Sequence, residues 1–225
     1  MAHSSLEELL RDALSTYAGS HVLEYVISLR EEALMPRQAT REVSLLFADV
    51  GRVMPPAGGI DSSKLFEWQE AFLGAISQSI LESKGYIDQF VGDAVSCWWE
   101  RGPGLDDAQR ACIAALDMAR RIERLNSSAW ERGHPKVELK IGIHTGLAAV
   151  GPYGSRYRLR FGLSGDSVNF AAHLCRVSGT TYSCRVVISG TTRSRLPASA
   201  CVSRLDRIQV KGLDVPLELF ALDSL

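Results

Sequence analysis

The strongest constraint on the fold is an alternation between β-rich runs and two long helical repeats. Apolar residues recur every three to four positions over 63–83 and again over 105–126, a spacing typical of amphipathic helices. Between the two repeats, the segment from Tyr86 to Trp99 turns at Gly92-Asp93, which predicts a tight β-hairpin. Because such helices bury their apolar faces against a sheet, the pattern predicts an α+β fold in the order β-α-β-β-α-β.

Further predicted elements flank this core. Residues 5–33 carry helical periodicity and end near Pro36, so the chain divides into an N-terminal helical segment, 1–40, and a main domain, 41–225. The remaining predictions are a strand over 41–51, a strand over 136–150 with a glycine break, a strand over 157–163, a helix over 168–177, an apolar run over 185–190, a short helical stretch near 191–196 and two closing strands within 207–222. Asp166 or Ser167 is expected to cap the helix at 168–177.

Composition excludes several classes of protein. The 25 basic and 26 acidic residues leave a formal charge of −1, which argues against a nucleic-acid partner. An apolar fraction of 46% is ordinary for a globular domain, and no apolar run approaches the ~18 residues of a membrane helix. The five cysteines show no CxxC pair, so we expect reduced, mostly buried thiols and a cytoplasmic location.

Two aspartates stand at predicted strand ends. Asp49 follows the apolar run LLFA, and Asp93 lies in the Gly-Asp turn of the hairpin. Carboxylates held by one sheet are the hard oxygen ligands that Mg²⁺ or Mn²⁺ requires. The alternative is that each aspartate only stabilises a turn, a common role for this residue.

The order and spacing of five motifs resemble the class III nucleotidyl cyclase family. These motifs are FADV, GYIDQFVGDAV, LKIGIHTG, GLSGDSVNFAAHL and VKG, and they lie between Val43 and Leu222. The resemblance implies a ferredoxin-like βαββαβ cyclase core with extra C-terminal strands. It also implies a homodimer whose active sites lie between the chains. Two divalent metal ions, Mn²⁺ or Mg²⁺, would there support conversion of a nucleoside triphosphate to a 3′,5′-cyclic nucleotide and pyrophosphate.

The resemblance assigns roles to individual positions. Asp49 and Asp93 match the two metal-binding aspartates of the family, and Val50 would offer its backbone carbonyl to a metal. Asn169 matches the asparagine that orients the ribose. Lys211, in the VKG motif, matches the lysine that reaches the triphosphate.

The position that the resemblance assigns to the α-phosphate departs from the family pattern, and so does the loop after Asp49. The family has an arginine four residues after the asparagine, at the α-phosphate, and this chain has His173 there. A guanidinium is always charged and binds two oxygens, whereas an imidazole is charged only part of the time near neutrality. Arg176, on the same helix face, and Arg160, on the preceding strand, are alternative cations for that role. Arg52, in the loop after the first aspartate, is a further candidate for binding phosphate.

The base-reading positions also depart. Adenylyl cyclases of the family have a lysine where Gln89 stands and an aspartate or threonine where Gly162 stands. Gly162 has no side chain, and the Gln89 amide can match several base edges. Bacterial relatives that make cyclic UMP or cyclic CMP as an antiphage signal resemble this chain in departing here. This similarity favours UTP or CTP, with ATP or GTP as the alternative.

Two remaining hypotheses concern catalysis and a conspicuous histidine. The losses at His173 and Gly162 leave open a catalytically degenerate, nucleotide-binding dimerisation module. Retention of Asp49, Asp93 and Asn169 favours an active enzyme. His144, inside the KIGIHTG run, is interpreted as a structural histidine rather than a catalyst.

Overall fold

A mixed β-sheet forms the centre of the structure. A computed structural model of the chain describes residues 5–52, 62–102, 104–129, 136–209 and 216–225. Within these ranges the strands are β1 (Ala39–Arg52), β2 (Tyr86–Val91), β3 (Ala94–Glu100), β4 (Val137–Ser155), β5 (Arg158–Ser164), β6 (Val186–Ser189), β7 (Cys201–Ile208) and β8 (Leu217–Ser224). They lie in the order β2-β3-β1-β4-β6-β8-β7, and β5 pairs with the C-terminal part of β4.

The α-helices within the described residues are α1 (Leu6–Ala18), α2 (Ser20–Leu29), α3 (Ser62–Glu82), α4 (Asp107–Ala129), α5 (Asp166–Val177) and the short α6 (Gly190–Arg193). Helices α3 and α4 pack on one face of the sheet and α5 packs on the other, whereas α1 contacts α2. The order β1-α3-β2-β3-α4-β4 confirms the predicted α+β core with its βαββαβ arrangement, N-terminal helices and additional C-terminal strands. None of the helices within the described ranges combines the length and hydrophobicity that a membrane span needs.

The two faces have separate apolar cores because side chains alternate along β1. Leu46 and Val50 join the core that holds Trp68 and Phe72 of α3 together with buried residues of α4. Val43 and Leu45 point the other way and share a cluster with Ala171 of α5. The period-2 pattern of β1 therefore decides which helix each residue meets.

The long strand β4 corrects one prediction. We expected a glycine break within 136–150, but β4 continues through Gly146, which pairs with Val43 of β1. The pairing with β1 continues through Thr145 and Leu147 on either side of this glycine and holds it extended, so the local weakness of glycine in a strand is overridden. The strand also runs on to Ser155, where it pairs with β5.

The start of α5 corrects a second prediction. Gly165, with φ +128°, occupies the N-cap position without a side-chain hydrogen bond, and Asp166 is the first helical residue. The Ser167 hydroxyl instead donates to the carbonyl of Leu147 at 2.7 Å. Ser167 therefore ties α5 to β4 rather than capping the helix.

The N-terminal segment contacts the α5 side of the sheet through aromatic rings. The ring of His21 in α2 lies 5.1 Å from that of Tyr86 and 5.5 Å from that of Phe161. Tyr25, one turn further along α2, lies 5.0 Å from the Phe161 ring in an edge-on arrangement. This edge-on packing is favourable for aromatic pairs, and it fixes α2 against β2 and β5.

Gly142 of β4 provides a stability test of this architecture. A Cβ at this position would lie 2.0 Å from the backbone nitrogen of Cys175 in α5, so Gly142→Ala forces the helix away from the sheet. We expect a loss of about 3 kcal/mol in the free energy of unfolding, measured by denaturant titration. The control is Gly74→Ala in α3, where a Cβ meets nothing within 4 Å, and it should gain about 0.5 to 1 kcal/mol. Equal effects of the two substitutions would contradict the close contact between α5 and β4.

Candidate active site

The pairing of β1 with β3 brings the two predicted metal-binding aspartates together. Asp49 pairs with Ala94, the residue that follows Asp93, because the end of β1 lies beside the start of the antiparallel β3. The Val50 amide donates to the Asp93 carbonyl at 3.2 Å, and the Gln69 amide of α3 donates to an Asp93 carboxylate oxygen at 3.2 Å. Asp49 is exposed and Asp93 is half-buried, so the pair is open to a ligand.

The oxygen atoms at this strand end fit a divalent metal. The donors are the Asp49 and Asp93 carboxylates and the backbone of Val50, whose amide and carbonyl lie on the edge of β1 that faces Asp93. The described residues contain no cluster of three or more His, Cys, Asp or Glu side chains suited to a metal. Mg²⁺ is often held by one or two carboxylates, with water and substrate phosphates completing its shell, so a pair of aspartates suits it.

The predicted base-reading positions, Gln89 and Gly162, lie on neighbouring parts of the fold. A register shift between Ile87 and Gln89 places Gln89 opposite Ser96 of β3. Asp88, in the same bulge, also accepts a hydrogen bond from the Ser96 hydroxyl at 2.9 Å. Asp88 in turn reaches Gly162, because its second carboxylate oxygen would lie 2.6 Å from a Cβ on that glycine.

Asp88 is a residue that the sequence did not single out. Its carboxylate accepts from the Arg160 guanidinium at 2.6 Å. Burial raises the pKa of Asp88, and the Arg160 charge and the Ser96 hydrogen bond oppose that rise. Arg160, a candidate cation for the α-phosphate, is thus placed beside the predicted base-reading positions. The sequence pattern does not predict the Asp88–Arg160 ion pair, because the two residues are 72 positions apart and meet through a β-bulge.

Helix α5 carries the remaining catalytic candidates on one face. Asn169, His173 and Arg176 are spaced by four and three residues, so they lie along one side of the helix. Asn169 and Arg176 are exposed and His173 is half-buried. The opposite side of α5 is buried through Phe170, Ala171, Leu174 and Cys175.

Two phosphate-binding candidates cannot be placed with the others. Lys211 lies outside the described residues, as do 53–61 of the loop that follows β1. Arg52 is the last residue of β1, but its side chain is outside the described part of the chain. Their roles stay predictions.

The structure supports a structural role for His144. This residue is 5% exposed, and its Nδ1 lies 3.0 Å from the Ser189 hydroxyl. Its ring meets Phe170 of α5 edge-on at 5.4 Å. Burial lowers the pKa of His144 to about 4, so the imidazole is neutral near neutral pH.

The fold and the paired aspartates define a class: an α+β domain with two carboxylates at adjacent strand ends, suited to metal-dependent nucleotide chemistry. Residues 35–224 match the family described as the adenylate and guanylate cyclase catalytic domain. The chain is 28% identical over 214 residues to adenylate cyclase 1 of Rhizobium meliloti (strain 1021), covering 93% of this chain and 32% of that protein. It is 26% identical over 191 residues to an adenylate cyclase of Anabaena cylindrica, covering 81% of this chain and 37% of the relative.

A solved structure shows the same fold. A bacterial light-regulated adenylyl cyclase superposes with a TM-score of 0.81 at 18% identity, over 96% of this chain and 62% of that one. The protein therefore belongs to the adenylate and guanylate cyclase catalytic domain family. It spans about a third of the length of the two curated relatives.

The buried His144 predicts an acid-sensitive stability. Its pKa is about 4 in the fold against 6.5 in the unfolded chain, so the unfolded state binds more protons between these values. The free energy of unfolding should therefore be unaffected by this group above pH 6.5 and should fall by up to about 3 kcal/mol as pH drops from 6.5 to 4. Denaturant titrations at pH 7.5 and pH 4.5 measure the change.

His144→Gln isolates this contribution. The variant should lose less stability on acidification than the unchanged protein, and the slope that remains includes His21, whose pKa burial also lowers to about 4. Identical pH slopes for the variant and the unchanged protein would show that His144 is not held neutral by the fold.

Proposed function

We propose that this chain is a nucleotidyl cyclase that converts a nucleoside triphosphate to a 3′,5′-cyclic nucleotide and pyrophosphate. The observation that supports it most is the adjacency of Asp49 and Asp93 across β1 and β3 in a member of this family. We further propose that residues 41–225 form the catalytic domain and 1–40 a separate helical segment. The free state of all five cysteines supports a reducing location such as the cytoplasm.

The chemistry needs no protein nucleophile. The ribose 3′-oxygen attacks the α-phosphorus and gives up its proton to water, while the bond from the α-phosphorus to the bridging oxygen breaks and that oxygen leaves as part of pyrophosphate. Two divalent ions, when bound by Asp49, Asp93 and the Val50 carbonyl, would supply charge neutralisation at the phosphates and activation of the hydroxyl. In this proposal Asn169 orients the ribose, while Lys211 and Arg52 bind the phosphates.

A cation near the α-phosphate is also required, because charge develops there in the transition state. We assign this role to α5, where His173 stands one turn and Arg176 two turns after Asn169. Arg160 is less suited to the role, because its guanidinium is bound to Asp88 beside Gly162. His173 also favours the second candidate, a nucleotide-binding dimerisation module without turnover, because the always-charged arginine is absent.

We propose a homodimer with each active site shared between two chains. Large apolar side chains near the metal-binding aspartates are exposed: Phe90 is 48% exposed, Val91 60% and Phe66 62%. A partner chain that covered them would remove this apolar surface from water and would bring its own Asn169 to the aspartates.

We propose a pyrimidine triphosphate, UTP or CTP, as substrate and an antiviral second messenger as product. The support is the departure at Gln89 and Gly162, together with the Asp88–Arg160 pair found beside them. ATP or GTP is the alternative, and the relatives named adenylate cyclases favour it. Incubation of the purified protein and Mn²⁺ with each of the four triphosphates, with products separated by mass, decides the substrate.

The same assay tests the metal-binding aspartates. Asp49→Ala and Asp93→Ala each remove a carboxylate from the proposed two-metal site and should lower turnover by more than about 10³-fold, at ~1.4 kcal/mol per decade. The control is Asp223→Ala, an exposed aspartate in β8, which should keep full activity. Circular dichroism verifies that each variant is folded. Substantial turnover by either Asp49→Ala or Asp93→Ala would refute the metal assignment.

Mixing two inactive variants tests the shared site. In a heterodimer of Asp49→Ala with Asn169→Ala, one site combines the intact aspartates of one chain with the intact asparagine of the other. Random reassortment should restore about a quarter of the unmodified activity, because half of the dimers are mixed and each has one of two sites intact. Cyclic nucleotide formation after mixing measures the recovery. A mixture as inactive as its components would place all these residues in one chain's site.

A further inference from the structure

We infer that Arg160, held in place by Asp88, reads the base and selects one that presents a carbonyl group, uracil or guanine, over one that presents an amino group there. This inference rests on the proposed cyclase function and makes it more specific. With the pyrimidine preference proposed above, it predicts UTP as the substrate.

The ion pair is built into the fold rather than loose on its surface. The Asp88 side chain is only 9% exposed, and its oxygen accepts from Arg160 Nη2 at 2.6 Å and from the Ser96 hydroxyl at 2.9 Å. Three strands, β2, β3 and β5, contribute to this arrangement. A short, charge-assisted hydrogen bond of this kind fixes the guanidinium in one orientation.

Gly162 is what makes room for the pair. A Cβ at this position would lie 2.6 Å from an Asp88 carboxylate oxygen, 3.3 Å from the Tyr153 ring and 3.5 Å from Arg160 Nη2. The space that a side chain at position 162 would need is therefore taken by the ion pair. At this position, where the family resemblance places an aspartate or threonine in adenylyl cyclases, the chain has Gly162 and the Asp88–Arg160 pair fills the space.

This replacement changes which hydrogen bonds the site offers. Arg160 and Gly162 are two positions apart on β5, so Arg160 projects from the face on which a side chain at position 162 would stand. A guanidinium only donates hydrogen bonds. Among the described residues, the hydrogen bonds of Arg160 run through Nη2 alone. Its side chain is 36% exposed, so Nε and Nη1 can serve a ligand.

The hydrogen-bond donors of Arg160 favour a base that has a carbonyl oxygen at the position facing them. Uracil has the O4 carbonyl beside the N3–H donor, and guanine has the O6 carbonyl beside the N1–H donor. Arg160 would donate to the carbonyl while the Gln89 amide oxygen accepts from the neighbouring N–H. Cytosine and adenine have an amino group where this carbonyl stands, so two donors would face each other.

Asp88 is a positioning residue in this scheme. Its second carboxylate oxygen is buried and has no hydrogen-bond partner among the described residues. Because this oxygen is packed against Gly162, the carboxylate acts on the base only through Arg160.

The experiment measures kcat/KM for all four triphosphates with Mn²⁺. Arg160→Met should lower kcat/KM for UTP and GTP by about tenfold to a hundredfold, because a good arginine contact to a base discriminates by about that factor. It should change kcat/KM for CTP and ATP little. Asp88→Asn should reduce the same UTP preference by a smaller factor. Arg160→Met alone leaves the buried Asp88 carboxylate without its cation and can prevent folding. The double variant Asp88→Asn/Arg160→Met removes both charges, so it tests the inference in that case as well.

The matched control is Arg185→Met, which removes another arginine from an ion pair, here with Glu123. It should leave the ratio of UTP to CTP turnover unchanged. A preference of the unmodified protein for ATP or CTP overturns the inference. An equal loss of kcat/KM for all four triphosphates in the double variant also overturns it, because the ion pair would then be purely structural.

A separate readout distinguishes failure of the inference from failure of the proposed function. If the unmodified protein makes no cyclic nucleotide from any triphosphate, the proposed function fails. Thermal-shift titrations with the four triphosphates then decide the inference alone. Tighter binding of UTP and GTP that the double variant loses supports base reading by Arg160, and equal binding of all four nucleotides overturns it.

Discussion

Fourteen consecutive residue pairs between β1 and β4 form the ladder that positions the strands and the helix of the candidate site. β1 holds Asp49 and binds β3, which starts beside Asp93. β4 continues into the hairpin with β5, which carries Gly162, and it packs against α5, which carries Asn169. A slip of one residue in this ladder would turn Asp49 to the opposite face and break both apolar cores. The register is therefore a functional constraint as well as a structural one.

The sequence predicted those parts of the fold that long periodic patterns determine. The helices α3 and α4 and the hairpin at Gly92-Asp93 follow from hydrophobic spacing and turn residues, whereas the adjacency of Asp49 and Asp93 was expected from the family resemblance. Two local expectations were wrong where tertiary contacts override local preference. Gly146 does not break β4, because β1 pairs with it, and Ser167 does not cap α5, because Leu147 accepts its hydrogen bond.

The sequence could not predict the Asp88–Arg160 pair, for a physical reason. In a regular strand, neighbouring side chains point to opposite faces, so a pattern that places Gln89 toward the substrate would turn Asp88 away. The register shift in β2 interrupts that alternation. Gln89 pairs with Ser96 in the strand register, and the Asp88 carboxylate accepts a hydrogen bond from the Ser96 hydroxyl. Gly162 seemed from sequence to be a missing contact. In the fold its small size is what admits a carboxylate and a guanidinium.

The N-terminal helix α2 contacts β2 and β5, the two strands that carry Asp88 and Arg160. His21 and Tyr25 of α2 pack against Tyr86 and Phe161, and these lie two positions before Asp88 and one after Arg160. A cavity of about 590 Å³ lies between α2 and the sheet, so this contact rests on a few aromatic rings rather than on a continuous interface. Because packed interiors transmit strain, a displacement of α2 would act directly on β2 and β5, which hold Asp88 and Arg160, whereas Asp49 lies on β1.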